Sequence, residues 1–199
     1  MPKLPFAAFG AFVLFVLVHT TPVSAANPAG FVKDMGDKAF ASLSEAGLSD
    51  EERAARFRGL LNDAFDLPRI ARFTLGRYWR TATDDEKKEF VELFEKFVIQ
   101  AYTARFQDLS GKKLHVIQAR EVSASQALVL SEILIPGKPA VKINWRVRSQ
   151  DEVHKIVDVM VEGISMSVTQ RDEFAAVIRQ TGGRVGGLIK ALRRKTSSN

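Results

Sequence analysis

The 199-residue chain has no cysteine, three histidines, and two each of tryptophan and tyrosine. Without cysteine it has no disulfide, no thiol nucleophile, no thiolate metal ligand and no residue to carry a lipoprotein anchor. Stability must come from packing alone. His19 sits in an apolar N-terminal stretch, so His115 and His154 are the bases left for catalysis. Gly163-Ile164-Ser165-Met166-Ser167 lacks the second glycine of a nucleophile elbow. No paired-histidine metal motif is present. Gly182-Gly183-Arg184-Val185-Gly186-Gly187 has neither dinucleotide-loop spacing nor the lysine of a phosphate loop, and reads as a helix break. These gaps point away from an enzyme and from any bound metal or cofactor. The pair worth weighing is His154 with Asp158, which share strand parity. It reads either as a site or as an ordinary structural contact.

No apolar run is long enough to cross a membrane. Phe6 to Val18 falls short of the ~20 residues a spanning helix needs. Lys3 precedes that run and Val23-Ser24-Ala25-Ala26 follows it, so residues 1–26 read as a cleaved export signal. Residues 27–195 then form one domain, and 196–199 a polar tail. Lysine and arginine total 29 against 23 acidic residues, and without Lys3 the balance is 28 to 23, a net charge of +5. That mild excess suits an ordinary solvated surface, an anionic membrane surface or an acidic partner. Export, and aromatics placed on amphipathic faces rather than among basic residues, exclude nucleic acid.

What the chain does have is periodic apolar surface. Phe31, Met35, Phe40 and Leu43 form a loose stripe. Ser49 with Glu52, and Thr83 with Glu86, are two capping boxes. The second opens a long helix, 84–109, in which Phe90, Phe94, Phe97, Val98, Ala101, Tyr102 and Phe106 recur at three- and four-residue steps. The period then changes to two. Lys113 to Val122, Gln126 to Ile135, Ala140 to Arg148 and Val153 to Glu162 read as four antiparallel strands, with a turn at Pro136-Gly137. The order is helices over 30–109, strands over 113–162 and helices over 165–194, an α+β class. Periodicity does not tell whether the apolar faces fill the space between them or leave it hollow.

Two blocks carry a family resemblance. One is Phe65-Asp66-Leu67-Pro68 followed by Leu75-Gly76-Arg77-Tyr78-Trp79; the other is Lys142-Ile143-Asn144-Trp145 followed by Glu162-Gly163-Ile164-Ser165-Met166. Together they resemble the periplasmic phospholipid-binding component of the Mla pathway, with its toluene-tolerance and hopanoid-associated relatives. The resemblance implies a curved antiparallel sheet of about four strands, packed with N- and C-terminal helices around an apolar cavity. It also implies a periplasmic monomer that shuttles glycerophospholipid between an inner-membrane ABC transporter complex and an outer-membrane lipoprotein complex, with transient membrane-proximal contact. A hopanoid cargo, or an adaptor with a filled core, is the alternative. On that footing Phe73, Leu75, Phe94, Val98 and Tyr102 are expected to line a lipid pocket from the helices. Ile133, Ile143, Trp145, Val147, Val157, Val159 and Val161 are expected to line it from the sheet, with Met166 and Val168 closing the floor. Arg77, Tyr78 and Arg80 are expected at the headgroup mouth, and the basic run Lys190, Arg193, Arg194 and Lys195 is a further candidate for docking.

Overall fold

The computed structural model describes residues 27–104 and 112–197. The expected export signal, and residues 105–109 of the expected long helix, lie outside the described residues. Six helices are found among the described residues: α1 (Pro28–Leu43), α2 (Asp50–Ala64), α3 (Leu67–Leu75), α4 (Asp84–Thr103), α5 (Met166–Gln180) and α6 (Val185–Ser197). A 3-10 turn, Gly76–Arg80, follows α3. Between α4 and α5 come β1 (Lys113–Ser123), β2 (Gln126–Leu134), β3 (Val141–Gln150), β4 (Val153–Val161) and β5 (Ile164–Ser165). The strands form one open antiparallel sheet in sequential order. The sequence shows four strands; the fifth is a two-residue return too short to register as alternation. α6 also runs on to Ser197, past the end read from the sequence.

Local chemistry sets the element boundaries. Ser49 and Glu52, and Thr83 and Glu86, close both capping boxes, the Thr83 N–H donating to Glu86 at 2.9 Å and the Glu86 N–H to Thr83 Oγ1 at 3.2 Å. Asp66 caps α3, accepting from the Arg69 N–H at 3.1 Å. Asp151 and Glu152 both take positive φ, the conformation a two-residue hairpin between β3 and β4 requires. α5 ends where Gly183, at φ 78°, donates its N–H to Ile178 O at 2.8 Å, so the Gly182-Gly183 break is a helix stop.

Packing divides the molecule into two cores. Helices α2 to α6, with the end of α1, bury one large cluster that includes Leu61, Ile70, Phe90, Phe94, Phe174, Ile178 and Leu188. The second is smaller and belongs to the sheet: Val129, Val147 and Ile156, covered by Val32 of α1 and Ala64 at the end of α2. α1 lies across β1, β2 and β3. Gly36 allows its close approach, since a Cβ there would stand 2.5 Å from Leu114 Cδ2 of β1. Among the described residues, Phe65 alone packs against both clusters. Its backbone is fixed there by the following residue, because the Asp66 N–H donates to Ile156 O of β4 at 3.0 Å.

Candidate functional site

The inner face of the sheet can be read row by row, because cross-strand partners project to the same side. Ala127, Val147 and Ile156 form one row; Val129, Trp145 and Val159 the next; Ser131, Ile143, Val161 and Ile164 the third. Burial falls along this series on β3 and β4, while the β2 members stay buried throughout. Val147 and Ile156 are fully buried beneath α1 and the end of α2, Trp145 and Val159 are half-buried, and Ile143 and Val161 are half-buried and belong to neither core. Ile164 at the edge is 61% exposed. The face is therefore sealed at one end and opens at the corner where β3, β4 and β5 meet.

Trp145 floors this opening. Its indole Nε1–H donates to Ser131 Oγ at 2.9 Å, and Ser131 donates to the Ile143 carbonyl at 2.5 Å. Ser131 is 1% exposed, so this chain of bonds satisfies a buried hydroxyl and holds the ring against the sheet. On the helical side Val98 and Tyr102, half-buried, pack at the edge of the large cluster. The Tyr102 hydroxyl donates to Met166 Sδ at 4.0 Å, joining the end of α4 to the start of α5 immediately after β5. Of the expected residues, Ile143, Trp145, Val159 and Val161 share the inner face of the sheet at this seam, and Tyr102 and Met166 meet each other beside β5. Ile133, half-buried and cross-strand from Val141, flanks the seam.

Other expected lining residues are placed elsewhere. Leu75 and Phe94 are inside the helical core at 1% and 3% exposure. The aromatic face of α4 turns toward α5, with the rings of Phe90, Phe94 and Phe97 lying 5.7, 6.3 and 5.9 Å from that of Phe174. Val147 is in the sheet core. Phe73 is exposed on α3 beneath the Arg171 guanidinium, 5.1 Å from its ring, and Val168 is exposed on α5.

Val157 is the extra residue of a bulge, since Arg146 faces Asp158 but Val147 faces Ile156. That bulge also corrects the pairing of His154 with Asp158, because one inserted residue reverses the parity between them. His154 Nδ1 lies 2.9 Å from Ser149 Oγ, with its ring edge-on to Phe31. Asp158 is buried at the N-terminus of α5. Its carboxylate accepts from Ser165 Oγ at 2.7 Å, the Ser167 N–H at 3.1 Å and Ser167 Oγ at 2.7 Å. It is a structural helix cap with every contact satisfied.

Residues 33–194 match the MlaC protein family. The chain belongs to the MlaC family. A solved phospholipid-binding protein from Ralstonia solanacearum, determined in complex with a phospholipid, has the same fold, with a TM-score of 0.77 at 21% identity over 85% of this chain and 96% of that one. A cystatin-like domain of unknown function from Nostoc punctiforme matches at 20% identity over 54% of this chain and 70% of its own, with a TM-score of 0.23.

The mouth residues stand apart from the seam. Arg77, Tyr78 and Arg80 line a surface groove of about 570 Å³ with Thr81, Glu86, Gly183, Arg184 and Val185. Glu86 and Tyr102 are sixteen residues apart on α4, about 24 Å along the helix axis. In this MlaC family member the arginine-lined groove and the open corner of the sheet therefore lie toward opposite ends of α4. Sequence reasoning missed Phe65 as the joint between the cores and Ser131 as the partner of Trp145. Phe65 opens the Phe65-Asp66-Leu67-Pro68 motif, but only tertiary packing makes it a joint, and a lone serine in a strand signals nothing.

Proposed function

We propose that this chain is a periplasmic carrier that holds the acyl chains of a glycerophospholipid in the seam between the sheet and the helices. The observation that carries this reading is the division of the core. The two clusters meet at Phe65, while Ile143 and Val161 on the inner sheet face pack into neither. Each buried CH₂ is worth about 0.8 kcal/mol, so a carrier needs apolar wall that its own core does not consume. Membership of the MlaC family and the phospholipid bound by the Ralstonia protein support the same cargo class. Residues 27–195 act as a single lipid-binding domain, exported by the signal at 1–26 and cleaved from it. The chain performs no covalent chemistry. It exchanges lipid with an inner-membrane ABC transporter complex and an outer-membrane lipoprotein complex, as a monomer.

The test is lipid mass spectrometry on protein expressed with its export signal and purified without detergent. Stoichiometric glycerophospholipid is the expected result. A hopanoid would assign the polycyclic cargo instead, and protein free of any lipid would overturn the carrier in favour of an adaptor.

A further inference from the structure

The groove at the far end of α4 is a feature that lipid carriage leaves unused. Three guanidinium groups reach it from two separate turns: Arg77 and Arg80 from the 3-10 turn after α3, and Arg184 from the link between α5 and α6. All three residues are exposed. Several other arginines have a carboxylate partner within the fold, Arg69 with Asp66, Arg171 with Asp172 and Arg193 with Glu89. Among the described residues no carboxylate pairs with Arg77, Arg80 or Arg184. Glu86 is the acidic residue in the lining, and one of its oxygens is committed to the Thr83 N–H. Asp84 is paired with Lys87, and neither it nor Asp85 lines the groove.

The walls also carry aromatic surface. Arg77 lies 5.0 Å from the Tyr78 ring centroid and donates from Nη2 to the Tyr78 hydroxyl at 3.0 Å. Adjacent Trp79 is flanked by Arg72 at 5.9 Å and Lys87 at 6.0 Å. Arginine, tyrosine and tryptophan are the residues in which protein interfaces are enriched and on which their binding energy concentrates. Guanidinium forks match carboxylates in two-point geometry. A flat bilayer meets a concave cleft poorly, whereas a projecting side chain enters it.

We propose that the Arg77, Arg80 and Arg184 groove docks an acidic segment of a partner protein, its carboxylates meeting the guanidiniums and an apolar side chain resting on Tyr78. The distance from the seam lets the carrier be held by a partner without its cargo being touched.

The probe is a short fluorescein-labelled peptide of aspartate and glutamate with one central phenylalanine, titrated against the full mature protein by anisotropy. Wild type is expected to bind in a salt-sensitive manner. R80E/R184E is expected to weaken binding by about tenfold or more, through the loss of two ion pairs together with new repulsion. R148E, which changes a residue lining a different cleft, is the control and should leave binding unchanged. Bound lipid, measured by mass spectrometry, should be the same in wild type and R80E/R184E. If circular dichroism shows R80E/R184E to be unfolded, R80Q/R184Q carries the test, with a smaller loss in the same direction. The proposal is overturned if wild type does not bind the peptide, if R148E weakens binding as much as R80E/R184E, or if R80E/R184E releases the lipid. It is also overturned if phosphatidylglycerol vesicles bind wild type and lose binding on charge reversal while the peptide is indifferent, which would make the groove a membrane contact.

Discussion

At the scale of single residues, the inner sheet face assigns different work to side chains of the same type. Val147 and Val161 are both β-branched and both on that face, yet Val147 is fully buried in the sheet core while Val161 is half-buried and outside both cores. A carboxylate at Val147 has no counter-ion and no water, so V147D is expected to cost more than about 4 kcal/mol and unfold the domain, read by urea titration. V161D should leave the urea midpoint nearly unchanged and empty the seam, read by lipid mass spectrometry. Equal effects on folding at the two positions would mean that the open corner is ordinary core. Ser131 offers a second test. S131A strips the Trp145 N–H of its acceptor and should cost about 1–3 kcal/mol. In S131A/W145F no unpaired donor is left, so the double variant should lose less than the two single losses added together.

At the scale of elements, α4 is fixed by different chemistry at its start and along its flank. Its start depends on the Thr83 and Glu86 box, so T83A should lower stability by about 1 kcal/mol in chemical denaturation. Along its length Glu89 accepts from Arg193 of α6, with Arg193 Nη2 to Glu89 Oε2 at 2.8 Å. The hydrogen bond from Arg193, opposed by desolvation and helped by the Arg193 charge, holds the Glu89 carboxyl below its ordinary value of 4.5. A carboxyl lowered by folding stabilises the fold above its ordinary value and stops doing so as pH falls through the lowered one. E89Q should therefore lower the neutral plateau of a stability profile slightly and leave the acid end unchanged, which flattens part of the acid limb, and an unaltered profile would show that the α4 to α6 clasp is immaterial.

The elements are also where the sequence is most legible. Both capping boxes, the Pro136-Gly137 turn and the strand limits are written in local chemistry that each segment enforces for itself. Which way the aromatic face of α4 turns is not, because Phe174, which takes up three of its rings, comes some eighty residues later. The parity of β4 fails for a similar reason. The bulge at Val157 is visible only in the pairing with β3, so His154 and Asp158 look neighbourly along the chain and part company in the sheet.

At the scale of the whole molecule, two cores joined through Phe65 form a body whose halves are stable for separate reasons. The helical cluster buries its own aromatic residues, and the sheet cluster depends on α1 and the end of α2 for cover. On the proposed function, cargo in the seam would touch both and add stability unevenly. A ligand that binds only the folded state stabilises it by RT ln(1 + [L]/Kd), about 2.7 kcal/mol at a hundredfold excess over Kd. That gain should appear first in the part the ligand covers. Hydrogen exchange on lipid-loaded and stripped protein is expected to differ most at the β3 to β5 corner, around Ile143 and Val161, and least at Phe90 and Ile178, which are sealed whether or not lipid is present. F65A tests the same joint from the other side. Removing the ring takes away the contact common to both cores, so lipid should protect the sheet of F65A without raising protection in α4. Uniform protection across both halves of the stripped protein, unchanged by loading, would mean that the seam is closed and holds nothing.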